Sequence, residues 1–394
     1  MNRIADVVVI GGGVIGCSVA YYLAKKGAKV TVIEKKGGLC LGASGSNQGG
    51  CILTFEPPFR ELARESVKLH ENLSSEIGYD TEYRKMPDLL CSVDEQRYPD
   101  MEKQVQDLRR SGVNARLLEG DEIRELEPTL GKDIVSGIEV PDQAEINPFK
   151  LTYGLARAAG KLGTEFLLST EVKKIETDKG KIASVVTDRG EIKTNFVVNA
   201  AGAWSPEIGK MVGITIPIRP QRGQIAVTEP APYGRWRIIE DTDYPPAAFN
   251  KEEAVEISKE PRVKFRVAGT LLQESSGNWL IGSSYDFAGY NNAVTMQIIR
   301  CLVRRAIEFM PKLKGVNCIR AWAGLRPLCY VDGLPILSKV DNPSGFIIAT
   351  GHGADGVALA PITGKLISEL IIEKRTSIPI KAFAFSRFRS IKAE

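Results

Sequence analysis

Histidine is almost missing from this chain: 394 residues carry only His70 and His352. Chemistry built on a histidine-activated nucleophile or on clustered imidazole ligands has little to draw on. The seven cysteines (Cys17, Cys40, Cys51, Cys91, Cys301, Cys318 and Cys329) are odd in number, scattered, and form no C-x-x-C pair. Neither a disulfide framework nor a metal or iron–sulfur site is indicated, so the thiols are expected mostly as small buried hydrophobes. No apolar run approaches the roughly 18–20 residues that a membrane helix needs. The first buried strand, expected from about Ala5, leaves no room for a signal peptide, and a cytoplasmic protein without a membrane span is expected. Basic and acidic residues nearly balance, 52 against 48, and are interspersed. No basic field calls for a nucleic acid partner. Repeats, linkers and low-complexity tracts are also absent, and 43% hydrophobic residues are enough for one large core or two coupled ones.

What is present begins at the N-terminus. Residues 5 to 10 read as a parallel strand buried on both faces, followed at once by Gly11-x-Gly13-x-x-Gly16. A helix is predicted from Val14 to Lys26 with Gly27 as its stop, then a strand over Val30 to Ile33 that closes on Glu34. In this setting Gly11 permits the tight turn, Gly13 lets backbone approach a pyrophosphate, and Gly16 lets helix and strand pack closely. Val14 and Ile15 open the helix whose N-terminus would face the phosphates. Glu34, with Lys35 beside it, stands where a carboxylate accepts from ribose hydroxyls and repels a 2′-phosphate. The stretch predicts a dinucleotide site, open at this point between NAD and FAD.

Two further stretches favour the longer cofactor. "GLCLGASGSNQGG", residues 38 to 50, is too rich in Gly, Ser and Asn for regular structure. Gly42, Ala43, Ser44, Asn47, Gln48, Gly49 and Gly50 are expected to wrap phosphate and ribityl groups. "GFIIATGHGADGVALAPITGK", residues 345 to 365, repeats the order strand, glycine turn, helix, but no adenosine-type acid follows it. Its turn, Gly351, His352, Gly353, Ala354, Asp355 and Gly356, would therefore cap another part of the same two-ended cofactor, and FAD fits better than NAD. Pro361 and Gly364 inside the last helix would kink it or delay its start.

The motifs GGGVIG with Glu34, "NAAGAWS" at 199–205, "AGLRP" at 323–327 and "ATGHGADG" at 349–356 together resemble the glycine oxidase, D-amino acid oxidase and sarcosine oxidase family of flavoproteins. The similarity runs through almost the whole chain in the family's order. It implies an α/β fold with noncovalent FAD in a Rossmann-like domain of glutathione-reductase type, assembled from 1–78, 146–212 and 321–394. An inserted antiparallel-sheet substrate domain, 79–145 with 213–320, would cover the flavin ring. By the same resemblance Val172 faces the adenine, and Ala200, Ala201, Gly202 and Trp204 pass near the pyrophosphate.

The remaining patterns agree with that organisation. Residues 57–78 read as a helix with Leu62, Leu69, Leu73 and Ile77 on one face and Gly78 as stop; His70 on it reads as a surface or core residue. "INPFKLTYGLARAAGKLG" has Asn147 as cap, Pro148 in the first turn, and Leu151, Leu155 and Leu162 inside. Residues 171–204 give three short strands broken by Lys-Gly and Arg-Gly turns, a meander returning to the parallel sheet. Alternating strands between about 213 and 320 argue an antiparallel sheet, with a helix from about Ala293 to Met310.

A single nucleotide fingerprint implies that electrons enter from a small substrate bound against the flavin rather than from NAD(P)H. An amine can deliver hydride from its carbon without a strong protein base, which suits the scarcity of histidine. An amino acid substrate needs a cationic clamp for its carboxylate, and the resemblance assigns this to Arg326, beside Gly324. At the position of an aromatic hydroxyl in glycine oxidases stands Thr270, which puts glycine itself in doubt. Arg222 either lines the same cavity or pairs with a surface acid. His352 either stabilises reduced flavin or shapes its turn, with the turn favoured. Cys329 lies near where some sarcosine oxidases attach flavin, but at a poorly matching offset from Arg326. The function expected is oxidation of the C–N bond of a small amino acid (a D-amino acid, proline or hydroxyproline, or an N-substituted glycine) to an imine. The "SNQGG" loop resembles that of dehydrogenase subunits that pass electrons to partner subunits, which could attach it to a membrane; a homo-oligomer is the other assembly expected. The alternatives are a self-contained oxidase releasing peroxide, a 2-hydroxy acid or glycerol-phosphate oxidoreductase, and a non-catalytic flavin scaffold.

Overall fold

The computed structural model describes residues 3–51, 58–231, 234, 237–242 and 261–388. The strand predicted over 5–10 begins at Val7, because Asp6 turns its carboxylate to the Lys29 backbone N–H (2.8 Å). Val7–Ile10 is buried at every position, and each such side chain contributes about 1.5–3 kcal/mol of hydrophobic stabilisation. It lies near the centre of a six-stranded sheet. The order is Glu165–Leu167, Val30–Ile33, Val7–Ile10, Phe196–Asn199, Phe346–Thr350 and Ile336–Lys339, all parallel except the last.

Helices Val14–Lys25, Phe59–Ile77, Pro148–Lys161 and Ala360–Ile372 cover one face of this sheet in a common core. The meander Val172–Asp178, Lys181–Thr187 and Gly190–Lys193 covers the other. The Asn147 side chain caps its helix by accepting from Phe149 and Lys150 N–H (both 3.1 Å), as its sequence position implies. Leu162 corrects the predicted inner face: the helix ends at Lys161, and Leu162 is 49% exposed as the chain turns away through Gly163. Pro361 falls in the first turn of Ala360–Ile372, so it delays that helix rather than kinking it. His70 is a core residue, its Nε2 2.9 Å from Ala358 O, and burial pushes its imidazole down to about 4.

A second sheet has eight strands in the order Cys318–Cys329, Ile218–Pro230, Asn278–Gly282, Thr270–Gln273, Ile238–Asp241, Asp88–Ser92, Ser136–Val140 and Arg116–Glu119. Its pairings are antiparallel except between Ile238–Asp241 and Asp88–Ser92. Helix Met296–Phe309 packs on one face; it starts after Thr295 rather than at Ala293, whose N–H is taken by Asn291 Oδ1. The opposite face looks toward the six-stranded sheet. Strand Cys318–Cys329 pairs along its length with Ile218–Pro230, so the boundary expected at 320/321 falls inside an element of the second sheet.

Candidate functional site

Between the two sheets runs a cleft of about 1900 Å³, its open mouth included. At one end the first glycine turn forms its floor. Gly11 has φ +116°, and a Cβ there would come within 2.4 Å of Ala200 O, so only glycine lets these strand ends meet. Gly16 lies off the cleft; a Cβ on it would clash with Gly11 O at 1.9 Å, which gives it the predicted packing role. Helix Val14–Lys25 has no side-chain cap at Gly13, leaving its N-terminus open to an anion in the cleft. Ser44 Oγ accepts from Val14 N–H (3.0 Å) and ties the second loop to this helix.

Glu34 is held by the backbone: Oε2 accepts from Gly12 N–H (2.7 Å) and Oε1 from Lys36 N–H (2.8 Å). Each oxygen keeps a lone pair, enough for ribose hydroxyls. Lys35 lies 4.5 Å over the Trp204 ring, and Val172 with Thr170 completes this end. Within "NAAGAW", the buried Asn199 shapes the turn by donating to Ser205 O (2.9 Å) and accepting from Ala201 N–H (3.3 Å).

The loop 42–50 lines the middle. Gly42, Ala43, Ser44, Asn47, Gln48 and Gly50 face the cleft, whereas Gly49 packs against Ile146 O and does not. Asn47 and Gln48 also hold neighbouring elements: Asn47 Nδ2 donates to Ala354 O (2.6 Å), and Gln48 bonds Leu280 O (3.0 Å) and the Thr270 hydroxyl (2.7 Å). The loop thereby links both sheets and the second glycine turn.

That turn closes the far end. His352, Gly353, Ala354, Asp355 and Gly356 line the cleft; Gly351 lies behind them against Ile218. His352 is buried, its Nε2 3.0 Å from Thr363 Oγ1, and burial pushes it down to about 3. Burial thus favours the neutral ring, which joins the turn to Thr363 on helix Ala360–Ile372. Burial pushes the Asp355 carboxyl up to about 7, against the opposing pull of Arg326.

Arg326 reaches into the cleft from strand Cys318–Cys329, next to Gly324. Nη1 donates to Ser284 O (2.9 Å), Nη2 donates to Ser283 Oγ, and the guanidinium stacks 4.4 Å from the Tyr285 ring centre. A Cβ on Gly223 would come within 2.2 Å of Arg326 Nη1, so glycine clears the space. Among the described residues no carboxylate forms an ion pair with Arg326.

Arg222 takes the pairing alternative, but the pair is buried rather than at the surface. It faces away from the cleft and forms two bonds with Asp286, Nε to Oδ1 (3.0 Å) and Nη2 to Oδ2 (2.5 Å), with Nη1 on Ala293 O. Cys329 also lies outside the cleft, donating to Asp332 Oδ1 (3.2 Å), and burial pushes its thiol up to about 11. None of the seven cysteines forms a disulfide, and five are buried. Among the described residues no group of side chains could hold a metal, and no helix is long and apolar enough to cross a membrane. The cleft also holds residues without a motif, among them Gly223, Ile225, Ile238, Glu240, Leu272 and Ser283. They come from separate strands, and only the alternation of each strand could have marked them.

A helix N-terminus with no side-chain cap from its own Gly13, a carboxylate beside it with spare lone pairs, and a second glycine turn at the other end of one continuous cleft fit FAD from adenosine to flavin ring. Fold and cleft thus define a flavin adenine dinucleotide oxidoreductase. Residues 6–370 match the family described as DAO, FAD dependent oxidoreductase, and the chain belongs to it. It is 29% identical to the hydrogen cyanide synthase subunit HcnC of Pseudomonas aeruginosa, over 99% of this chain and 97% of that protein. It is 28% identical to the glycine oxidase of Geobacillus kaustophilus, over 98% of each. The crystal structure of L-proline dehydrogenase from P. horikoshii superposes with a TM-score of 0.87 at 26% identity, over 99% of both chains.

Proposed function

We propose that the chain is a flavin-dependent amino acid dehydrogenase that oxidises a substrate C–N bond to an imine and passes the electrons to a partner protein. The observation that carries this is Arg326: a guanidinium oriented by Ser283, Ser284 and Tyr285, facing the cleft without a carboxylate partner. A substrate carboxylate supplies the missing charge bidentately. Bound FAD supplies the two-electron acceptor for the hydride leaving the substrate carbon. The protein's own part is to hold that carbon in place, to keep His352 neutral, and to line the site with Ile225, Ile238 and Leu272, which exclude water.

The similarity to HcnC, a subunit by name, supports a partnered enzyme, and largely buried cysteines without disulfides suit a cytoplasmic one. Similarity to glycine oxidase supports the second reading, direct return of electrons to oxygen. The experiment is anaerobic mixing of the holoenzyme with a panel of amino acids, 2-hydroxy acids and NAD(P)H. Amino acids are expected to bleach the flavin, and the nucleotides are not. Admission of air should then reoxidise it slowly and an artificial dye rapidly. Bleaching by 2-hydroxy acids alone, or by NAD(P)H, contradicts the proposal; rapid peroxide release selects the oxidase reading.

A further inference from the structure

The second sheet presents to the cleft two ionisable groups, one basic and one acidic, that form no ion pair among the described residues. Arg326 is one. The other is Glu240, which is 5% exposed, lines the cleft, and receives no hydrogen bond or ion pair among the described residues. Alternation along strand Ile238–Asp241 sets Ile238 and Glu240 toward the cleft. Of the neighbouring cleft positions Ile225, Ile238 and Leu272 are apolar, and Thr270, which pairs with Glu240, is polar but has its hydroxyl bonded to Gln48. The groups nearest in charge are acids: Asp88 from the adjacent strand and Asp355 from the glycine turn. Burial, with those two carboxylates, holds the Glu240 carboxyl above its ordinary value. An unpaired buried carboxylate is costly, and a bound cation removes that cost.

The spacing between the two charges selects the kind of cation. The Arg326 guanidinium lies over Gly223. From the strand of Gly223 to that of Glu240 there are three interstrand steps, through Asn278–Gly282 and Thr270–Gln273. At roughly 4.8 Å each these amount to about 14 Å across the sheet; Glu240 is level with Thr270, Gly282 and Ile225, two residues or about 7 Å along the strand from Gly223, so the two positions lie about 16 Å apart. Subtracting a hydrogen-bond length of roughly 3 Å at each end leaves about 10 Å for the ligand to span. The α-ammonium of an amino acid is one carbon away from its carboxylate and falls short. A terminal ammonium or guanidinium on a long unbranched side chain comes nearest to that span, with its methylenes along Ile225, Ile238 and Leu272.

We propose that Glu240 receives the cationic terminus of the substrate's side chain, so that the preferred substrates are amino acids with a terminal ammonium or guanidinium. This rests on the amino acid reading above. Glu240 acts here as a specificity determinant, at a distance from the oxidised carbon.

The holoenzyme is tested for flavin reduction with lysine, ornithine and arginine against norleucine, norvaline and citrulline, in both stereochemical forms. The expected result is a preference of roughly 30-fold or more in kcat/KM for the cationic member of each pair. Glu240→Gln should remove that preference, acting mainly through KM, while flavin content and spectrum stay normal. Equal rates for charged and neutral members, or a preference that survives Glu240→Gln, overturn the proposal. A second measurement needs neither turnover nor a variant: calorimetric binding of n-pentylammonium against n-pentanol to the oxidised holoenzyme. Stronger binding of the cation supports the subsite and equal binding overturns it. Cation binding without flavin reduction by any amino acid keeps the subsite and sinks the amino acid reading instead.

Discussion

Glu240 and Asp241 are neighbours in one strand, and Arg222 and Arg326 stand one register step apart on paired strands. Within each pair, one residue faces the packed side of the antiparallel sheet and the other faces the cleft. On the packed side every one of these charges is matched. Asp241, wholly buried, accepts from Arg305 Nε (2.6 Å) on helix Met296–Phe309, and Arg222 grips Asp286. On the cleft side neither Glu240 nor Arg326 forms an ion pair among the described residues, and the carboxyl that Arg326 acts on, Asp355, is itself buried in the cleft. Burial alone does not separate the two sets, since Arg222 and Glu240 are both nearly inaccessible. Pairing does: charges that serve the fold are neutralised inside it, and charges left over are aimed at whatever the cleft admits.

The comparison can be broken first on the packed side. Asp286→Ala leaves the Arg222 guanidinium buried without its partner and is expected to destabilise the fold by about 3–5 kcal/mol. Denaturant unfolding of the purified protein measures this. A loss below about 1 kcal/mol would place Arg222 among the charges free to act in the cleft.

A smaller effect is expected at Asp355, where burial raises the carboxyl to about 7. Between its ordinary range near 4 and about 7, the folded protein holds a proton that the unfolded chain has lost. Folded-state stability therefore falls as pH rises through that window, by about 2–4 kcal/mol from this residue. Asp355→Asn should flatten that part of the pH profile of the flavin-free protein, read as Tm against pH. An unchanged slope contradicts the assignment. The smallest effect belongs to Cys329, which lies outside the cleft. Cys329→Ser should leave flavin content unchanged, with all flavin released on acid precipitation; protein-bound flavin lost only in the variant would show a covalent link.

The nucleotide end was legible because it is local. Strand, turn, helix and Glu34 fall within 30 residues of one another, and each glycine answers to a contact within that unit, as Gly16 does to Gly11. The proposed substrate end was signalled in the sequence only by Arg326. Gly223, Thr270, Ser283 and Glu240 come from separate strands, and nothing in any one segment tells which will be neighbours. Arg222 shows the limit most clearly. Its residue type fitted the cleft, but Gly223 lines the cleft instead, and in a strand a shift of one position reverses the face. The expected boundary near 320 falls inside Cys318–Cys329, one long strand of the second sheet.

The most direct test of the contrast between matched and unmatched charge is Arg326→Ala, assayed with an amino acid and with the corresponding amine that lacks the carboxylate. Removing one member of a buried charge pair costs on the order of 2–5 kcal/mol, so kcat/KM for the amino acid should fall roughly 30- to several-thousand-fold. Flavin content and spectrum should stay normal, and the slow turnover of the amine should hardly change. Arg326→Lys should recover only part of the loss, since a point charge cannot replace two parallel hydrogen bonds. Equal losses for both substrates, or loss of flavin or of the fold, would show Arg326 to be a structural charge like Arg222 and contradict its role as the carboxylate anchor.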